Sequence, residues 1–136
     1  MPQNATSSRE PVTAQKSRRG IHRLWHATRY SLNGLHDACG ESAFRQELIA
    51  ALMMVPAAFW LGQSWVERAL LAASVVLVLV VELLNTAVEK TIDRIGPEWH
   101  ELARRAKDLG SAAVLLSLLM CGAIWLGAAW ARFFAT

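Results

Sequence analysis

Four polar side chains recur at helical spacing along one apolar stretch of the sequence. Glu82, Asn85, Glu89 and Asp93 fall within "VELLNTAVEKTIDRIG" (81–96), at offsets that place them on one narrow stripe of an α-helix. A charged side chain is costly to bury in hydrocarbon, so the stripe must face the protein interior or a wet cleft. Acids within membrane segments are most often functional, and the plain alternative is a polar stripe that holds helices together.

The positions of two of these acids suggest different chemical roles. Glu82 and Glu89 are separated by about 10 Å along the axis, at a rise of about 1.5 Å per residue. A buried carboxylate at position 82 could act as general base toward a membrane-embedded hydroxyl. Glu89, with Glu41, could hold Mg²⁺ on a nucleotide, because phosphate oxygens fill most of the remaining coordination positions. Three cations could neutralise phosphate charge: Arg104, Arg105 and Lys107. These residues together suggest phosphoryl transfer to a lipid hydroxyl.

The elements that must position these residues are predicted to be membrane helices. Apolar residues make up 54% of the chain, and the run Leu109–Ala131 contains no charged residue. We expect an all-α membrane protein with three spans, at about 47–66, 69–89 and 109–132, in a single domain over 21–136. A soluble helical bundle is the alternative, and the long uncharged run argues against it.

The N-terminal part of the chain is polar and then amphipathic. Residues 1–20 are rich in Ser, Thr and Arg and are predicted to be a disordered tail. Over about 21–39, apolar residues such as Leu24, Trp25 and Leu32 recur at helical spacing, which predicts a helix lying in the membrane interface.

The Lys and Arg residues are distributed unevenly about the spans. Seven precede the first span and five lie between the second and third spans, which leaves only two for the opposite side of the membrane. This asymmetry predicts a cytoplasmic N-terminus.

Three segments resemble one known family. "ESAFRQE" (41–47), "VELLNTAVEKTIDRIG" (81–96) and "HELARRAKDLGSAAV" (100–114) closely resemble the bacterial integral-membrane diacylglycerol kinase family in its Gram-negative form. The resemblance covers roughly residue 20 onward. It implies a homotrimer of three-span subunits with a surface helix, in the bacterial inner membrane. It also implies Mg²⁺-dependent transfer of the ATP γ-phosphate to diacylglycerol, which gives phosphatidic acid.

The resemblance also implies roles for individual residues. Glu82 resembles the catalytic base, with Asn85 beside it, and Glu41 and Glu89 resemble the metal carboxylates. The positions that match ATP contacts are Arg23, Tyr30, Glu41, Glu89, Glu98, Trp99, His100, Lys107 and Asp108. The positions that match substrate contacts are Arg23, Phe44, Arg45, Glu47, Trp60, Arg68, Glu82 and Ser111. The segment before Glu41 is one residue shorter than in enteric members, so no role is carried onto 31–40.

Three other functions compete with this interpretation. The weakest is a non-catalytic membrane adaptor, which would leave the carboxylate stripe unexplained. Another is an undecaprenol kinase of the same family. The segment "GPEWHELARRAKD" (96–108) favours a diacylglycerol kinase over this alternative. A small proton-coupled transporter would also need a membrane acid. It would place that acid near the bilayer midplane, whereas here the acids cluster toward the predicted cytoplasmic end. Nucleic acid is not an expected partner, because the basic residues flank the spans instead of forming a reading surface.

Overall fold

The computed structural model describes residues 21–134, which form four α-helices joined by short connections. They are α1 (Ile21–Ala38), α2 (Ser42–Leu61), α3 (Trp65–Ile95) and α4 (Glu101–Phe134). No strand occurs within 21–134, so the predicted all-α class is confirmed. The tail predicted for 1–20 lies outside the described residues. The chain divides after His36 into two compact units.

Within the described residues, the first unit consists of α1 up to His36. Its apolar side chains are largely uncovered, and Leu24 and Trp25 are each about two-thirds exposed. Toward the middle of the helix, the hydroxyls of Thr28 and Ser31 donate to the main-chain carbonyls four residues earlier, at 3.0 Å. The helix is amphipathic, as predicted, and its location in a membrane interface stays a prediction.

The second unit is a three-helix bundle with α3 at its centre. α3 packs against both α2 and α4, which touch each other far less. The core has two clusters: Ala51, Val75, Val78 and Cys121 in one, and Ala58, Leu61, Leu71 and Ala128 in the other. The outward faces are apolar and exposed, as at Leu52, Met53 and Leu126. All three helices are long and apolar enough to cross a membrane, which confirms the expected number of spans.

Two of these helices are longer than a bilayer requires. α3 has 31 residues and α4 has 34, which correspond to about 46 Å and 51 Å of helix. The hydrocarbon layer is only about 30 Å thick, so both helices must continue beyond it. They project at the end of the bundle where Glu41, Asp93 and Glu101 lie, called here the charged end. α3 ends at Ile95, directly before Gly96-Pro97, a pair that stops a helix.

The opposite end of the bundle differs from the expected span boundaries. The first span was predicted over about 47–66, but α2 runs Ser42–Leu61 and α3 already begins at Trp65. The Ser64 hydroxyl accepts from the Glu67 N–H at 3.2 Å, and the Glu67 carboxylate accepts from the Gln63 N–H at 2.7 Å. This reciprocal capping, a variant of the capping box, starts α3. Hydrophobicity alone predicted the turn but placed the end of the first span several residues too late, because Trp65 and Val66 continue the apolar run past it.

Candidate functional site

The polar stripe on α3 continues the face by which this helix packs into the bundle. Leu71, Val75 and Val78 occupy that face within the core, and Glu82 and Asn85 follow on it, only 5% and 9% exposed. Glu89 is half-buried and Asp93 is exposed. The prediction that the stripe faces the interior is therefore confirmed for its first two members. The same stripe leads from the buried interior to the charged end.

Two residues near Glu82 carry buried acceptor atoms. Its carboxyl interacts electrostatically with Glu47 on α2 and with Glu89 on its own helix. The Oε2 of Glu47 and the Oδ1 of Asn85 are buried, and neither has a hydrogen-bond partner within the described part of the chain. The Asn85 amide donates through Nδ2 to Glu89 Oε1 at 3.2 Å. Acceptors left unpaired in a buried site are costly, so this region would be stabilised by a ligand that brings a donor.

Gly110 on α4 is a site residue that sequence reasoning missed. A Cβ added at this position would lie 2.2 Å from Asn85 Oδ1, so only glycine leaves room for that amide. The glycine thereby lets α4 cross α3 directly over the Asn85 side chain. An isolated glycine inside a helical apolar pattern, as in "DLGSAAV" (108–114), usually has a packing reason. That was the signal available in the sequence.

Lysines meet the acids at the charged end. Lys90 Nζ lies 2.5 Å from Glu41 Oε1, which joins α3 to the residue that precedes α2. Lys107 Nζ donates to Asp93 Oδ1 at 2.6 Å, which joins α4 to α3. Lys107 was predicted as a site residue, whereas Lys90 was not.

The arginines at the start of α4 pair with acids on their own helix. Arg104 forms ion pairs with Glu101, at 2.7 Å, and with Asp108. Arg105 Nε lies 2.8 Å from Glu101 Oε1. Ion pairs this exposed contribute little to stability, because water screens the charges. They can therefore exchange for a phosphate ligand at small cost.

A cleft of about 970 Å³ opens between the ends of α3 and α4 and the connection that joins them. The Trp99 side chain is 77% exposed at this cleft, and His100 Nδ1 accepts from the Leu102 N–H at 3.2 Å. The cleft is large enough for a ligand of nucleotide size. Its polar and aromatic lining consists of Asp93, Glu98, Trp99, His100, Arg104 and Lys107. Four of the residues predicted to contact ATP thus meet in one cleft.

Three predicted substrate residues lie near the charged end, with different environments. Phe44 is 2% exposed and packs as a core residue. Arg45 holds the turn before α2, because its guanidinium donates to the carbonyls of Cys39 and Gly40 at 3.2 and 2.9 Å. Ser111 is exposed on α4, next to Gly110.

Two other predicted substrate residues lie at the opposite end of the bundle. The Arg68 guanidinium donates to the Gly62 carbonyl at 2.9 Å in the α2–α3 turn. Trp60 lies at the same end, with its ring centroid 6.1 Å from that of Phe133. Glu82 is roughly 21 Å further along α3 from Arg68. The structure does not bring Trp60 or Arg68 to the acids.

Two further predicted site residues, Arg23 and Tyr30, are exposed on α1.

The carboxylates at the charged end do not form a complete metal site by themselves. Within residues 21–134, no group of three or more His, Cys, Asp or Glu side chains could hold an ion. Glu41 and Glu89 nevertheless offer hard carboxylate oxygens on neighbouring elements. Mg²⁺ is commonly held by one or two carboxylates, together with phosphate oxygens and water. The donor set fits an ion that arrives with a nucleotide.

Comparison with known proteins identifies the family. The profile described as "Prokaryotic diacylglycerol kinase" matches residues 29–128. The chain is 48% identical to "Diacylglycerol kinase" of Haemophilus influenzae over 109 residues, which cover 79% of this chain and 92% of the relative. It is 47% identical to the Escherichia coli K12 protein of the same name over 115 residues, with 84% and 94% covered. The Pseudomonas aeruginosa relative, also named "Diacylglycerol kinase", is 45% identical over 111 residues, with 81% and 90% covered.

These matches span the charged end, the stripe on α3 and most of α4. The family profile begins within α1 and ends inside α4, so it includes every acid of the stripe and the whole cleft. The family resemblance suggested by the three sequence segments is thus confirmed over most of the chain. The chain belongs to the prokaryotic diacylglycerol kinase family.

Proposed function

We propose that this protein is a lipid kinase that transfers the γ-phosphate of ATP to diacylglycerol and gives phosphatidic acid. The observation that carries the proposal is the single stripe on α3, which runs from the buried Glu82 to the exposed Asp93. Such a stripe connects an acid within the membrane to acids at the charged end, which faces water. The names of the relatives support the lipid substrate.

Glu82 is the proposed general base. From the start of α3 at Trp65, Glu82 is about 26 Å along the helix, which is close to the full thickness of the hydrocarbon layer. It therefore lies near the interface at the charged end, where the hydroxyl of a diacylglycerol also lies, and not at the midplane that a proton-coupled transporter would favour. As the hydroxyl oxygen bonds to the γ-phosphorus and the bond to ADP breaks, Glu82 takes the hydroxyl proton.

The buried acceptors near Glu82 support a polar ligand at this site. Asn85 Oδ1 and Glu47 Oε2 have no donor within the described chain. Water that enters with a lipid headgroup would supply donors to them, because the single hydroxyl hydrogen of a diacylglycerol goes to Glu82. The Asn85 amide also ties Glu89 to this region through its bond to Oε1. Asn85 thus positions Glu89 relative to Glu82.

The proposed nucleotide site is the cleft, with Glu41 and Glu89 beside it as the carboxylates for Mg²⁺. When bound, Mg²⁺ would neutralise charge on the β- and γ-phosphates. Lys107 supplies a mobile cation for phosphate, and Trp99 offers an exposed aromatic face on which a base can stack. Glu98, His100 and Asp108 are proposed to complete the ATP contacts. The ATP contacts implied for Arg23 and Tyr30 on α1 stay predictions from the family resemblance.

The proposed assembly is a homotrimer in the bacterial inner membrane with its N-terminus in the cytoplasm. The charge asymmetry supports the orientation, because it puts the acids on the side where ATP is found. The small residues Ala123 and Gly127 support an assembly, since they are exposed on α4 and a Cβ added at Gly127 would meet nothing within 4 Å. Small residues let membrane helices approach closely.

The experiment that tests this function compares lipid alcohols. The purified protein in one detergent system is given Mg²⁺, radiolabelled ATP and either diacylglycerol, undecaprenol or a sphingoid base. We expect labelled phosphatidic acid as the main product. Faster labelling of undecaprenol would favour the second kinase of the family. An absence of labelled lipid in every arm would contradict the kinase proposal.

A further inference from the structure

Lys90 occupies an unusual position relative to the proposed metal carboxylates. It directly follows Glu89 in the sequence, and its Nζ lies 2.5 Å from Oε1 of Glu41. It also interacts electrostatically with Glu89 and Asp93. One ammonium group therefore lies among three carboxylates, two of which are the proposed ligands of Mg²⁺.

An ammonium group and a metal ion cannot bind the same carboxylate oxygen from the same direction at once. At 2.5 Å, Lys90 takes up the direction in which Glu41 Oε1 would bind a cation. The two cations also repel each other at such distances. Lys90 and Mg²⁺ therefore compete for Glu41, and loading of the metal requires the lysine to move.

The side chain of Lys90 is able to make that move. It is 67% exposed, and a lysine is a point charge on a flexible four-carbon stem. Exposed ion pairs are weak, so little holds the ammonium on Glu41 once another anion is near. A nucleotide brings such an anion, because its phosphate oxygens accept charge-assisted hydrogen bonds.

We infer that Lys90 is a tethered cation that holds the Glu41 carboxylate in place when nucleotide is absent and transfers to a phosphate oxygen when MgATP binds. This inference rests on the proposed function, because it assumes that Glu41 and Glu89 receive the metal. Lys90 is a positioning residue in this scheme. It weakens the binding of Mg²⁺ in the absence of nucleotide and so couples metal loading to ATP.

The inference is tested by binding of Mn²⁺, used in place of Mg²⁺, to the purified detergent-solubilised protein. Electron paramagnetic resonance measures free Mn²⁺ for the wild type, Lys90→Met and Lys90→Arg, with no nucleotide present. Removing the competing cation should tighten Mn²⁺ binding about 3- to 10-fold in Lys90→Met, and Lys90→Arg should bind like the wild type. In parallel, ATP binding in EDTA should weaken by a similar factor in Lys90→Met.

The opposite signs of these two effects distinguish competition from a structural role. A surface ion pair that only stabilises the fold would lower the melting temperature of Lys90→Met and leave both affinities unchanged. Equal Mn²⁺ affinity in the wild type and Lys90→Met, including no detectable binding by either, overturns the inference.

The variant Glu41→Gln separates this failure from failure of the proposed function. If Glu41→Gln lowers kinase activity and raises its Mg²⁺ requirement while Lys90→Met binds Mn²⁺ normally, only the role of Lys90 is wrong. If Glu41→Gln keeps the normal Mg²⁺ requirement, the assignment of Glu41 as a metal carboxylate is wrong as well.

Discussion

Gly110 and Asn85 approach each other so closely that a single methyl group could not be accommodated between them. A Cβ at position 110 would lie 2.2 Å from Asn85 Oδ1 and 3.3 Å from its Cγ. The Asn85 side chain is buried under α4 by this approach, and its Nδ2 reaches Glu89. The helix crossing therefore fixes the amide that donates to Glu89 and that lies between Glu82 and Glu89 on the stripe.

We predict that Gly110→Ala lowers activity by displacing Asn85. The added methyl group must push away either the amide or the whole of α4, and overpacking of this kind costs about 1–3 kcal/mol. The control is Gly122→Ala on the same helix, where a Cβ meets nothing within 4 Å. The melting temperature and the kinase rate should fall for the first variant and hold for the second. Full activity of Gly110→Ala would show that activity does not depend on this position of the Asn85 side chain.

Glu89→Gln should weaken binding of MgATP and raise the Mg²⁺ concentration required for half-maximal activity. The glutamine keeps an oxygen that can accept from Asn85 but loses the charge that attracts the metal. Loss of one charged ligand contact should change affinity by roughly tenfold. Activity is measured against Mg²⁺ concentration at fixed ATP.

The control for that titration is Glu67→Gln, at the other end of α3. Its side chain can still accept from the Gln63 N–H, so α3 should begin as before. An unchanged Mg²⁺ requirement in both variants would remove Glu89 from the metal site.

Trp99→Ala should lower ATP affinity more than lipid affinity, because the exposed ring lines the cleft. A stacking contact is worth about 1–3 kcal/mol, so the KM for ATP should rise about 5- to 100-fold. Trp65→Ala is a matched control, since Trp65 is also exposed and lies at the opposite end of the bundle. Equal effects of the two variants on the KM for ATP would show that the adenine ring of ATP does not stack on Trp99.

The orientation of the bundle can be tested with introduced cysteines. In a Cys39→Ala background, Gln63→Cys should be labelled from outside intact cells by a membrane-impermeant thiol reagent, and Glu101→Cys should not. Gln63 is exposed in the short α2–α3 turn, and Glu101 begins α4 at the charged end. The reverse pattern would put every acid on the side that lacks ATP.

The sequence predicted the helices well because their signals are local. The uncharged runs indicate spans, and Gly96-Pro97 marks the end of α3. The same sequence indicated a turn between α2 and α3 but not its exact place, because apolar residues continue on both sides of Ser64 and the Ser64–Glu67 capping interaction starts the new helix. A break without a change in hydropathy is recognised only from its capping residues.

The acids of the site were predictable, whereas their partners were not. The spacing of Glu82, Asn85 and Glu89 along the chain is enough to define one helix face. Which cation meets which acid depends on how α4 and the start of α2 pack on α3. The contacts of Lys90 with Glu41 and of Gly110 with Asn85 are tertiary facts of this kind.

Glu82 is proposed above all as the base that receives the proton of a lipid hydroxyl. The most direct measurement compares two properties of one Glu82→Gln sample, its kinase activity and its binding of MgATP. Size-exclusion chromatography first shows that the assembly is intact. We predict a fall in turnover of about 10²–10⁴-fold, the typical contribution of a catalytic base, with MgATP binding largely kept. Near-normal turnover in Glu82→Gln would contradict this role and make Glu82 a buried polar contact between helices.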